Sequence, residues 1–135
     1  MAKQSHKYGM ADSGKRQSFG KDMAVRDTAD GKPRPDLISP FADERVGHWL
    51  RIGAEKYKER NWEGGMPFTR AIASLRRHLM AYQQGLRDED HLAAIICNAM
   101  FLIHYEEMIE RGRLPAALND MPNYQAPINN EKKDE

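Results

Sequence analysis

Apolar residues in this chain concentrate between positions 40 and 112, where they recur every three or four residues, and stretches rich in polar residues, glycine or proline flank them. That spacing is the signature of helices presenting one face to a core. A first helix is predicted from Pro40, a residue suited to a first turn, to about Glu59, with Phe41, Val46, Trp49, Leu50, Ile52 and Ala54 facing inward. Gly47 and Gly53 either weaken it or let another element approach closely. A second helix is predicted from Thr69 as N-cap, behind the breaker GGMP, to Gly85; Ile72, Leu75, Leu79 and Tyr82 form its apolar face and its other face is basic. A third opens at Asp88 as N-cap, carries acids in a first turn where they complement the helix dipole, and ends at Gly112. No strand of any length competes with these helices. The chain is therefore expected to be all-α, an antiparallel bundle of about three main helices. Three helices make a small core, so a homodimer or homotetramer burying more apolar surface is expected.

The flanks differ from this central part. Residues 1–36 mix glycine, proline and charge without apolar periodicity and read as an irregular arm; residues 37–118 form the helical domain, and residues 119–135 a loose tail. The end of the arm, RDTADGKPRPD, places Lys32 and Arg34 beside glycine and proline, as an ordered loop presenting cations or as a solvated linker. Lys and Arg total 21 and Asp and Glu 20, a net charge of +1, so no global field favours stable nucleic-acid binding and any polyanion must be met locally. The single cysteine, Cys97, excludes an internal disulfide and a multi-cysteine metal site. The most apolar run, LAAIICNAMFLI at 92–103, is about half of the roughly 20 residues that cross a bilayer, and the N-terminus has no apolar signal segment. A cytoplasmic protein without a membrane partner is expected.

Candidate chemistry gathers on the helices. Asn98 stands in the middle of the most apolar run, where a buried amide needs partners, and His91 lies two turns earlier on the same face. Folding the second and third helices against each other brings Ser74, Arg77, His78, Asp90, His91 and Asn98 toward one seam, either as a satisfied polar network or as a site. The run Asp88, Glu89, Asp90, His91 is a good helix start and also a set of oxygen and imidazole donors for a divalent ion. Glu55 and Glu59, one turn apart, are a solvated pair or additional ligands. In GAEKYKERNW at 53–62, Lys56 and Arg60 are one turn apart and Tyr57, Asn61 and Trp62 follow at the helix end. This reads either as a phosphate clamp with an aromatic plate or as the aromatic floor of the core with snorkelling cations.

Taken in order, RDTADGKPRPDL, GAEKYKERNWEGG, LRRHLMAYQQG, DEDHLAAIICNAMFL and RGRLPAALNDMP resemble the phage dATP/dGTP diphosphohydrolases, the MazZ-like proteins related to the all-α MazG pyrophosphohydrolases. The resemblance covers residues 14–122. It implies Mg²⁺- or Mn²⁺-assisted cleavage of purine deoxynucleoside triphosphates to monophosphate and pyrophosphate in the cytoplasm of an infected host, in some phages in support of 2-aminoadenine DNA. It also implies nucleotide-binding roles for Lys56, Tyr57, Asn61 and Trp62, joined by Lys32, Arg34, Arg77 and Asn98. It implies a metal role for His78, Glu89, Asp90 and His91, with Glu55 and Glu59 as further ligands, and a catalytic role for Glu89, Asp90 and His91. The paired carboxylate motifs of ordinary MazG enzymes have only a formal counterpart here: EEMIE at 106–110 is followed by EKKD in the polar tail at 131–134. Two other classes fit the same residues. One is a metal phosphohydrolase releasing phosphate or triphosphate, against which the order Asp90-His91, rather than His-Asp, counts. The other is a helical binding module using Arg70, Arg76, Arg77 and the basic arm.

Overall fold

A computed structural model describes residues 8–128 of the chain; EKKD lies outside them. Two compact units divide it, the first ending at Leu37 and the second beginning at Ile38. In the first unit the expected irregular arm holds a small antiparallel hairpin, β1 (Arg16–Ser18) and β2 (Val25–Asp27), with Arg16 opposite Asp27 and Ser18 opposite Val25. Three-residue strands with exposed side chains leave no alternation for sequence to display. Asp27 organises the hairpin, accepting from the Ser13 backbone and hydroxyl and pairing with Lys32 at 3.4 Å.

The second unit is helical: α1 (Pro40–Lys56), α2 (Phe68–Gln83) and α3 (His91–Glu110). Ser39 caps α1 by accepting from the Ala42 amide at 3.2 Å, with Pro40 behind it as the first helical residue. This helix stops at Lys56, short of Glu59, because Tyr57 leaves helical backbone angles and Arg60 turns left-handed at φ 57°. A 3-10 turn, Asn61–Gly64, follows, and Gly65 closes it at φ 93°. The backbone angle favours glycine, and a Cβ there would lie 2.8 Å from Leu118 Cδ1 and displace that side chain.

Thr69 is not the N-cap of α2. The helix begins one residue earlier, behind Pro67, and Asp120 from beyond α3 supplies the cap by accepting from the Thr69 amide at 3.0 Å and its hydroxyl at 2.6 Å. Gly85, at φ 85°, ends α2 as expected, with the Leu86 amide donating back to Ala81. The cap of α3 is Asp90, which accepts from Ala93 at 3.2 Å, and not Asp88, which precedes the helix.

The core sits between α2 and α3, built from Phe68, Ala71, Ala93, Ala94, Cys97 and Tyr105. Its small residues let the two antiparallel helices approach closely. In contrast, α1 packs on α3 without one fully buried side chain. At 20 residues, α3 is long and apolar enough to cross a bilayer, more than the twelve-residue run suggested, since the helix continues through His104 and Tyr105. Here two of its sides are packed against α2 and α1.

Candidate functional site

The turn between α2 and α3 carries Asp88 and Glu89 to the end of α2, one helical turn of which presents His78. Because α2 and α3 run antiparallel, His78 meets His91 in the first turn of α3, their Nδ1 atoms 2.9 Å apart. Glu89 Oε2 lies 3.7 Å from His78 Nδ1, and one donor atom from each of His78, Glu89 and His91 falls within 4.8 Å of the others. Two imidazole nitrogens and a carboxylate oxygen at that spacing could hold a divalent ion.

The surroundings suit such a role. His91 is buried and its Nε2–H donates to Asp88 Oδ1 at 3.0 Å, which leaves the Nδ1 lone pair pointing into the cluster. This is the carboxylate-imidazole arrangement that orients metal-ligating histidines. The same bond holds the Asp88 carboxyl below its ordinary range. Burial pushes the His78 imidazole below its usual pKa, favouring the neutral form that can ligate. The edge of Trp49, 5.5 Å away between centroids, fixes the plane of the His78 ring.

The cluster lies in a cleft of about 1030 Å³ between α1, α2 and the turn before α3, lined also by Arg45, Lys56, Tyr57 and Arg87. Arg87 stacks over the Tyr82 ring at 3.9 Å. Arg45 crosses the cleft and grips both Asp90 oxygens, at 2.8 Å and 2.6 Å. Asp90 is thus occupied by Arg45 and the α3 cap, and its carboxyl is held below its ordinary range mainly by the Arg45 bond. Behind the cluster, the Asn98 amide donates to Ser74 Oγ at 3.3 Å and to the Ala94 carbonyl at 3.0 Å.

The remaining sequence-derived candidates are dispersed. Tyr57 lines this cleft and a second hollow of about 540 Å³ on the other flank of α1, where Glu59, Asn61 and Trp62 are found. Trp62 stacks on Phe101 at 4.7 Å, and its carbonyl accepts from the buried Tyr105 hydroxyl. Its indole is therefore held by α3, with part of its surface still lining the hollow. Glu55 is exposed and paired with Arg51 at 2.9 Å. Arg77 is exposed outside the cleft lining. Lys32 and Arg34 belong to the first unit and pair there with Asp27 and Asp36. Sequence reasoning missed Arg45, His48 and Arg87 as cleft residues. The spacing of Arg45, His48, Ile52 and Lys56 was a legible stripe on one face of α1, but their partners were not.

A family model described as dATP/dGTP diphosphohydrolase, N-terminal, matches residues 23–112, two thirds of the chain and all of the cleft lining. No curated protein and no solved structure matches it.

Proposed function

The chain belongs to the dATP/dGTP diphosphohydrolase family and is thereby a nucleoside triphosphate pyrophosphohydrolase, and from that premise we propose that it hydrolyses dATP and dGTP to the monophosphates and pyrophosphate in a Mg²⁺- or Mn²⁺-dependent reaction. The observation that carries the assignment of the site is the His78, Glu89 and His91 cluster inside the matched segment, in a cleft that also holds cationic side chains. His78, Glu89 and His91 would hold the divalent ion, with Asp88 orienting His91. When bound, the ion would supply positive charge against the negative charge that develops in the transition state. Lys56 adds a mobile cation for the same polyanion, and charge neutralisation of this kind is the main catalytic contribution in phosphoryl chemistry.

In the reaction, a water oxygen forms a bond to the α-phosphorus, the bond from that phosphorus to the bridging oxygen breaks, and pyrophosphate leaves. Glu89, half exposed at the cleft edge, accepts the water proton through the oxygen turned away from His78. Asp90 serves as a positioning residue, tying α1 to the start of α3 through Arg45. Tyr57, which lines the cleft, contributes to the nucleoside end. The active form is a homo-oligomer in the cytoplasm of a phage-infected cell, where lowering dATP and supplying dGMP serves 2-aminoadenine nucleotide synthesis.

A product assay tests this. Purified protein is incubated with dATP, dGTP, dCTP and dTTP, with and without Mg²⁺ or Mn²⁺, and products are resolved by ion exchange. Monophosphate plus pyrophosphate from the purines, only with metal, is expected. Release of phosphate or triphosphate, or no turnover of any of the four, would refute the proposal.

A further inference from the structure

Two arginines line the cleft, and only one of them is spent on a carboxylate. Arg45 grips Asp90 through Nε and Nη2, the edge of the guanidinium that forms a two-pronged donor. Arg87 does not pair with an acid, although Asp88 and Glu89 follow it in sequence, because Asp88 turns to His91 and Glu89 to His78. Instead its guanidinium stacks on the Tyr82 ring at 3.9 Å, and its Nη1 donates to the Tyr82 carbonyl at 3.1 Å and the Leu86 carbonyl at 2.6 Å. Both hydrogens on Nη1 are thereby used. The Nε–H and Nη2 edge has no acceptor among the described residues, and it is the same fork that Arg45 turns on Asp90. Stacking and the carbonyl bonds fix the plane of the guanidinium, so the fork is aimed before a ligand arrives.

The order of groups along the cleft can be read from α1. Arg45 reaches the start of α3 and lies within charge range of Tyr82, the ring beneath Arg87. One turn on, about 6 Å along the axis, Trp49 meets His78. Two turns further, about 10 Å, stand Lys56 and Tyr57 at the helix end, the Tyr57 side chain 65 % exposed. The imidazole cluster therefore stands between an arginine fork on one side and an uncovered aromatic face on the other.

The geometry points to Arg87 as the residue that binds the two terminal phosphates of the substrate, with the nucleotide lying along α1 and its nucleoside toward Tyr57. This rests on the pyrophosphohydrolase reading above and adds the direction of the substrate and the residue that reads the length of its phosphate chain. When the bond from the α-phosphorus to the bridging oxygen breaks, its electron pair goes to the departing pyrophosphate, and Arg87 donates to oxygens over which that charge spreads. The reverse orientation would leave the terminal phosphates to Lys56 and bring the nucleoside to a Tyr82 face that Arg87 already covers.

The two products test this, since pyrophosphate and dGMP each report one end of the cleft. Isothermal titration calorimetry of the whole protein with Mg²⁺ measures each ligand separately. Arg87→Met should weaken pyrophosphate binding about tenfold or more and leave dGMP within about twofold, with unchanged helical circular dichroism. Tyr57→Ala should do the reverse. Should Arg87→Met fail to fold, Arg87→Lys, which keeps the charge and loses the fork, should give the same split to a smaller degree. Equal weakening of both ligands by Arg87→Met, weakening of dGMP alone, or no change in either overturns the assignment, as does a wild type that fails to bind pyrophosphate. A wild type that shows the split and yet turns over no triphosphate keeps Arg87 as the phosphate fork and overturns the reaction instead.

Discussion

Arg45→Met removes the only long-range side-chain hydrogen bonds that α1 makes among the described residues. Hydrogen bonds to charged groups contribute about 1.5–3 kcal/mol when shielded, but exposed pairs contribute only about 0.2–1 kcal/mol. Arg45 is 56 % exposed along its side chain and Asp90 31 %, so the pair sits nearer the exposed limit, raised somewhat by its bidentate geometry. The expected loss is about 1 kcal/mol. In Asp90→Asn the cap to Ala93 survives, because asparagine caps as well as aspartate, so this variant also loses about 1 kcal/mol. The double variant should lose about 1 kcal/mol as well, not the ~2 kcal/mol of independent sites, giving a coupling of about 1 kcal/mol. Urea unfolding of the four proteins at pH 7 measures it, and additive losses would refute the clamp. The pH dependence provides a second check. The Asp90 carboxyl is depressed in the folded state, so its stabilisation is present above the unfolded value near 3.9 and drains as pH falls through the lower folded value. The difference between wild type and Asp90→Asn should thus hold at pH 5 and 7 and close below about pH 4. Since α1 forms one wall of the cleft, Arg45→Met should also lower kcat/KM, by up to about fivefold if the 1 kcal/mol is expressed at the transition state.

Lys56→Met should leave stability within about 0.5 kcal/mol, because Lys56 is exposed, and reduce kcat/KM by about tenfold or more in steady-state assays with dGTP. Mn²⁺ at a hundred times its Kd should stabilise the wild type by about 2.7 kcal/mol in thermal unfolding, and His78→Asn or His91→Asn should abolish that gain; a retained gain would place the ion elsewhere. Tyr105→Phe should cost about 1–2 kcal/mol in urea titration by leaving the Trp62 carbonyl without its buried donor, with a change in tryptophan emission as the Phe101 stack loosens.

The helices and much of the seam between α2 and α3 were legible because they are written in near-neighbour terms. Three-four periodicity, Pro40 at the start of α1 and Gly85 at the end of α2 act within a turn or two of chain. The pairing of α2 with α3 followed from a short connection, which brings Ser74 to Asn98 and His78 to His91. What the tertiary structure decided are the partnerships across distance. Asp120 caps the helix at Thr69, and Arg45 reaches across the cleft to the Asp90 carboxylate. Asn61 and Trp62 fall on one flank of α1 and the imidazole cluster on the other, because Arg60 turns left-handed and redirects the chain after Tyr57. Periodicity specifies which face of a helix is apolar, since that depends on rotation per residue alone. Which carboxylate a given arginine reaches depends on the axial position and tilt of two packed helices, and these are set by the summed fit of the whole core around Ala71, Ala94 and Cys97.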